Sequence, residues 1–274
     1  MGKSSGTGFE EKQMIYGIIL VYYDKYRDSA IEKFDCLLKS INEDYKIIIV
    51  NNAINYDKSN YLINEIEGKN VHWEFSGWDE GIKSLGGLKD DDVIILANDT
   101  FCHHNKWDYF TKLFFSRGFR SVYNKNLKTP GVFLSGTTDT FWQTFSILDK
   151  KSSLWASTYL FLITSKLLKE MGGKVSIEED DLDRLVKPDG DKAVLFGGEI
   201  SENLQRHISK WMFPKDETEG WYNSNKIDPA RRVRKIKTIL NEKYISASCL
   251  DASGEVIEVN PIKKIKLKIK RIIG

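Results

Sequence analysis

Residues 92–100 read DVIILANDT, a run of apolar and β-branched side chains that ends abruptly in Asn98, Asp99 and Thr100. An apolar stretch this short, closed by turn-forming polar residues, reads as a fully buried β-strand. Two earlier stretches have the same form. MIYGIILVYY, residues 14–23, ends at Asp24, and YKIIIV, residues 45–50, ends at Asn51-Asn52. Between the first two, Ile31, Phe34, Leu37, Leu38 and Ile41 fall at helical spacing over residues 29–41. Strands without alternation, separated by amphipathic helices, are the pattern of a mostly parallel sheet covered on both faces, a Rossmann-like α/β arrangement. Such sheets bind ligands just beyond the carboxyl ends of their strands. Tyr22, Tyr23, Asn51, Asn52, Asn98 and Asp99 should therefore share one rim.

The remaining elements are read from the same signals. Ser59 is the expected N-cap of a helix carrying Leu62, Ile63 and Ile66 and ending at Gly68. Residues 71–75 read as a third strand, 81–88 as a short helix, 106–115 as a helix, 131–136 as a strand and 154–171 as a long helix. The acidic stretch 176–191 reads as a loop.

The chain has 274 residues, 41% hydrophobic and 12% aromatic, enough to bury a sizeable core and too apolar for disorder outside its ends. No apolar run reaches the length of a bilayer span. The first thirteen residues lack the apolar centre of a signal peptide and read as a flexible leader. Cys36, Cys102 and Cys249 are odd in number and scattered, which points to a reducing compartment and an expected cytoplasmic location. The net charge of +2 hides an asymmetry: from Trp221 onward thirteen Lys/Arg face five Asp/Glu. The expected organisation is a catalytic domain over 14–220 and a basic helical C-terminal appendage over 221–274. In PIKKIKLKIKRIIG, residues 261–274, Ile262, Ile265, Ile269 and Ile272 share a helical face ringed by lysines, the composition of an interfacial helix on an anionic membrane. Docking on the body or on a protein partner are the alternatives. No recognised nucleic-acid motif accompanies the basic residues, so no nucleic-acid partner is expected.

A carboxylate at a strand end can hold a divalent cation that neutralises a diphosphate, and a hard cation needs only one or two protein carboxylates. Asp99, beside Asn98, is the candidate; the other reading of Asn98-Asp99-Thr100 is a plain turn. Five stretches in order carry a resemblance: IIIVNNA (47–53), the segment from Gly77 through ANDTF (97–101), GVFLSGTTDT (131–140), LWASTYLFLITSKLL (154–168) and GEISENL (198–204). Together they are similar to GT-A glycosyltransferases, and more narrowly to bacterial surface-polysaccharide transferases of the rhamnan-synthesis kind. There, an Asn-Asp-Ser/Thr turn replaces the usual Asp-x-Asp. The sequence departs from the wider family where Ala97 and Asn51 stand in place of acids.

The resemblance implies a GT-A-like fold and an inverting hexosyltransferase working in lipopolysaccharide or capsule biosynthesis, peripheral on the inner face of the membrane. Its substrates would be a nucleotide-sugar donor and a glycan or lipid-linked glycan acceptor. Tyr22, Tyr23, Asn51, Asn52, Trp78, Asp79 and Asn98 would line the donor site. Asp99, with His207 from a distant segment, would hold a divalent cation, Mn or Mg. An inverting transfer also needs a base for the acceptor hydroxyl. Glu199, flanked by Gly197 and Gly198, is preferred, with Asp139 and the acids of 178–181 as rivals; a helix N-terminal carboxylate is the other reading of Glu199. Trp155 and Tyr159, with Phe141 and Trp142, are candidates for a sugar platform or for core. The competing enzyme class is a nucleotidyltransferase, for which the first strand lacks a glycine-rich phosphate loop.

Overall fold

A computed structural model describes residues 13–53, 64–71, 73–190, 193–214, 220, 227–263 and 265. Its centre is a seven-stranded mixed sheet. Strands β1 (Ile15–Val21), β2 (Tyr45–Asn51), β3 (Glu65–Glu67) and β4 (Val93–Asn98) run parallel, in the order β3-β2-β1-β4. Beside β4 lie β5 (Phe133–Ile147) and β6 (Lys150–Thr164), with β6 antiparallel to both β4 and β5. The last sheet strand, here β9 (Glu255–Glu258), pairs in parallel with the outer edge of β5. Two short strands, β7 (Val186–Asp189) and β8 (Ala193–Phe196), form a separate hairpin.

Every residue of β1 is buried, because helices cover both faces of the sheet. On one face lie α1 (Asp24–Ile41) and α3 (Tyr109–Lys128), which bury Phe34, Leu37, Leu38, Phe115 and Phe119 against Ile15, Ile19 and Ile95. On the other lie α2 (Glu74–Ser84), α4 (Ser165–Glu170) and α7 (Pro229–Asp251), with Phe75, Trp78, Leu167 and Ile245 against Ile18, Leu20 and Ile94. Two glycines set the closeness of that packing. A Cβ on Gly17 would stand 2.4 Å from Leu38 Cδ1, and one on Gly81 would stand 2.5 Å from Ile18 Cγ2. A satellite core joins α5 (Glu179–Leu185), α6 (Glu202–Met212), α7 and the distal half of β5.

The structure corrects several expectations. Residues 65–67 are strand, where a helix from Ser59 to Gly68 was expected; residues 54–63 lie outside those described. Helix α2 begins at Glu74, so the strand expected over 71–75 is absent there. The expected helix over 154–171 is mostly β6, followed by the single turn and a half of α4. Its inner half, Leu160–Thr164, is buried on both faces, so the alternation that marks a strand is missing. The acidic loop over 176–191 contains α5 and β7.

The boundary expected at Trp221 does not separate a body from an appendage. Helix α7 starts at an Asp228 cap, whose side chain accepts from the Arg231 amide, with Pro229 at its first turn. It buries Ile236, Leu240, Ile245, Ala247 and Cys249, and β9 then closes the sheet. In the last stretch Ile262 and Ile265 are exposed, while Ile269 and Ile272 lie outside the described residues. Among the described residues no helix is long and apolar enough to cross a membrane.

Candidate functional site

The carboxyl ends of β1 and β4 open into a pocket of 990 Å³. Its floor is Tyr22, Tyr23, Asn98, Asp99 and Thr100, one wall is Ser157–Tyr159 of β6, and the opposite walls come from Trp73-Glu74 and from the first half of α7. The pocket is built by the reversal of β6. Because Leu160 pairs with Ala97, the residues before Leu160 run past the end of β4 and stand above the rim.

Asp99 is almost completely buried. Its Oδ2 accepts hydrogen bonds from the backbone amides of Tyr22, at 2.8 Å, and Tyr23, at 2.6 Å, tying the end of β4 to the entry of α1. Its Oδ1 takes no hydrogen bond among the described residues. Burial pushes the Asp99 carboxyl above its ordinary range; the two amides and the nearby His104 oppose that, and the charge of Glu74 adds to it. Beside it, Thr100 Oγ1 donates to Asn98 Oδ1 at 2.7 Å, and the amides of His103 and His104 donate to the Thr100 carbonyl. The Thr100–Asn98 contact is that of a turn, whereas Asp99 Oδ2 makes a long-range bond to the start of α1.

The other expected site residues divide into two groups. Tyr22, Tyr23, Asn98 and Tyr159 line the pocket, with the Tyr159 hydroxyl 2.8 Å from Thr137 Oγ1. Burial raises the Tyr159 hydroxyl pKa. Asn51 lines no part of it: its Nδ2 donates to Glu65 Oε1 at 2.7 Å, and Glu65 Oε2 in turn meets Arg27 at 2.5 Å in a buried network. Asn52 is buried, and neither side-chain polar atom has a partner among the described residues. Trp78 is core, fully buried, with Nε1 donating to the Ala97 carbonyl at 3.0 Å. Asp79 accepts from the Val175 amide at 2.7 Å and pins α2 to the segment before α5; burial raises its pKa.

Glu199, Asp139, His207 and Trp155 also lie outside the pocket. Glu199 is exposed and faces Arg184 at 3.6 Å. It precedes Ile200, which bridges to Ile147 at the far tip of the β5–β6 hairpin. Asp139 sits on β5 opposite Trp155. His207, on α6, packs against Phe141 and Trp155 with ring centroids 4.7 and 5.8 Å apart, and burial with the Lys243 charge lowers its pKa. The Trp155 ring is capped by Lys243 Nζ, 3.6 Å from its centroid. That buried lysine is paired to Glu242 Oε1 at 2.7 Å. The side chain of Trp142 lies outside those described.

No protein-family model matches the sequence, and no curated protein matches it either.

Sequence reading missed half of that chemistry. Glu74 lines the pocket, and its Oε2 is buried without a partner among the described residues. Trp73, which precedes it, holds a positive φ of 51°, a conformation costly for an indole-bearing residue and common where a site dictates the backbone. Glu242 also lines the pocket and accepts from the amide and hydroxyl of Thr158, both at 3.2 Å. Arg231, Arg234 and Lys235 complete the wall from α7. The signal for these was the run DPARRVRK: an N-cap, a proline and cations three and four apart, which mark the start of a helix with one basic face.

Proposed function

We propose that this chain is a glycosyltransferase of the GT-A type that transfers a sugar from a nucleoside-diphosphate donor to a glycan hydroxyl. The observation that carries the reading is the placement of a buried carboxylate, Asp99, at the carboxyl end of a parallel strand, with one oxygen fixed by two amides and the other left toward a polar pocket. The pocket is large enough for a nucleotide sugar, and Tyr22, Tyr23 and Tyr159 supply aromatic faces beside polar groups.

A divalent cation fits here in a limited sense. No group of three or more His, Cys, Asp and Glu converges among the described residues. A hard cation bound mainly by phosphate oxygens and water needs only one carboxylate from the protein, and Asp99 Oδ1 is suited to that role. Bound Mn or Mg would supply positive charge to the departing diphosphate.

The proton of the attacking hydroxyl needs an acceptor inside the pocket, which directs the role away from Glu199 and Asp139. Of the four carboxylates lining the pocket, Asp228 caps α7, Glu242 is held by Lys243 and Thr158, and Asp99 carries the two tyrosine amides. Glu74 retains a buried oxygen with no partner among the described residues, and it is our proton acceptor. Thermal unfolding with a panel of nucleotide sugars, followed by assay of nucleoside-diphosphate release, tests the reading. Stabilisation by a nucleotide sugar that disappears in Asp99→Ala supports it; no stabilisation by any of them sinks it.

A further inference from the structure

Half of the large apolar side chains exposed among the described residues fall on two neighbouring elements: Tyr109, Phe110 and Leu127 on α3, and Ile262 and Ile265 after β9. Of the others, Tyr22, Tyr23 and Trp211 belong to the pocket, which leaves Val71 and Leu195 as single residues elsewhere. Scattered exposed apolar residues need no explanation, but a cluster of this kind marks a contact surface.

The two elements meet. Lys125 pairs with Glu255 at the start of β9, and a Cβ on Gly118 would stand 2.9 Å from Val259 Cγ1, just past its end. The strand therefore runs along α3 from its last turns toward its first, where Tyr109 and Phe110 are 73% and 63% exposed. Asn260 Oδ1 then accepts from the amides of Ile262, at 3.0 Å, and Lys263, at 3.3 Å, and so caps the next turn. Because β4, β5 and β9 point the same way, that turn starts from the edge at which the pocket opens.

The charge on this face has one sign. Helix α3 carries Lys112, Arg117, Arg120, Lys125 and Lys128 and no acid in its twenty residues. Its capping Asp108 is bridged by Lys106 at 2.6 Å, and Glu255 is matched by Lys125. Arg117 and Lys128 are exposed and form no ion pair among the described residues. The neighbouring α1 is sorted in the same sense. Cys36 and Ser40 turn toward α3, meeting Lys112 and Ser116, and Lys33 shares their side by helical spacing. Asp28, Glu32 and Asp35 instead line a cleft with Ile47 and Ile49 of β2, on the other side of that helix. In the sequence no acid follows Glu258, while Lys266, Lys268, Lys270 and Arg271 add to the positive charge.

We infer that the outer face of α3, together with the turn after β9, is a docking surface for an anionic lipid bilayer. Exposed aromatic rings enter the headgroup region, and cations along the same face meet the lipid phosphates. Neither element is large, and one weak anchor holds a protein only marginally, so both are required. The pocket then opens beside the headgroups. The inference does not depend on what the pocket binds.

The test is co-sedimentation of the full chain with phosphatidylcholine vesicles, with and without phosphatidylglycerol. Four proteins are compared: the wild type, Tyr109→Ser/Phe110→Ser, Arg117→Gln/Lys128→Gln, and a control, Lys151→Gln/Lys187→Gln/Leu195→Ser, altered at exposed positions off this face. All the substituted side chains are exposed, so folding should survive, and unfolding curves verify it. The wild type should bind the anionic vesicles and be released by salt. Loss of the two rings should weaken binding by at least about tenfold, and loss of the two cations by about fivefold each. The control should stay close to the wild type. No binding by the wild type, equal binding to neutral vesicles, or equal weakening of the face variants and the control would overturn the inference. So would a ring variant that binds vesicles normally, whether the tail alone then anchors the chain or the rings are found to hold a second copy of it. Vesicle binding without turnover of any nucleotide sugar leaves this surface standing and removes only the transferase reading; turnover without vesicle binding does the reverse.

Discussion

Asp99 Oδ2 lies 2.6 Å from the amide nitrogen of Tyr23, so the end of β4 is bonded directly to the residue that caps α1. One carboxylate therefore has an oxygen held by the fold and, on our reading, one for the ligand, and substitutions can separate the two roles. Asp99→Ala leaves two buried amides unsatisfied and should cost about 1–3 kcal/mol in urea unfolding as well as donor binding. Asp99→Asn keeps an acceptor for the amides and should retain most of the stability while still losing function.

The same residue sets a pH dependence. Its pKa is raised in the folded state, so folding takes up protons between the ordinary carboxylate range and that raised value. Stability from this group is fullest below the ordinary range and declines as pH rises through the raised value. The difference in unfolding free energy between wild type and Asp99→Asn, measured across acidic pH, should follow that sign; an increase with pH would contradict it.

Glu74→Gln should slow turnover by about 10²–10⁴-fold with nucleoside-diphosphate affinity intact, because the amide keeps the shape but not the basicity. Glu199→Gln, at the exposed tip beyond the pocket, should be near normal. Steady-state assays of the two variants side by side decide between them, and the opposite ranking would return the base to Glu199.

Lys243 and Glu242 offer a stability test. Removing the carboxylate in Glu242→Ala strands a buried ammonium and should cost about 3–5 kcal/mol. Lys243→Met removes the charge but keeps a chain against Trp155, and should cost far less. A double-mutant cycle by chemical unfolding measures the coupling.

The membrane reading of the C-terminal segment is tested by truncation after Asn260, which leaves β9 in place. We expect the full chain to float with anionic liposomes at low salt and the truncated one to remain in solution. Equal behaviour would assign Ile262 and Ile265 to a protein contact.

How much was legible in the sequence follows from burial. Strands β1, β2 and β4 announced themselves because each is a short apolar run with a polar stop, and their ends gave Tyr22, Tyr23, Asn98 and Asp99. Trp78 and Asp79 were misplaced because aromatic and acidic neighbours look alike whether they face a ligand or a core; here the indole donates to Ala97 and the carboxylate holds Val175. Strand β6 read as a helix because a strand buried on both faces has no period of two. The turn before it, Leu148-Asp149, also lacks the usual glycine, Leu148 itself taking the positive φ of 53°. The packing of helix α7 into the body was hidden by its charge. A basic face normally means solvent or an anionic surface, and nothing local shows that its other side carries Ile236, Leu240 and Ile245.

The pairing of β9 with β5 has a consequence for biosynthesis. The hairpin of β5 and β6 is complete once Thr164 has been made, yet the outer edge of β5 finds its partner only when Glu255–Glu258 emerge. At about 5–20 residues per second that interval is on the order of ten seconds, during which a long strand edge and the surface destined for α7 are open to other chains. The pocket wall from α7 and the guard of the sheet edge from β9 are made one after the other, so the molecule gains its cavity and its protection from aggregation together.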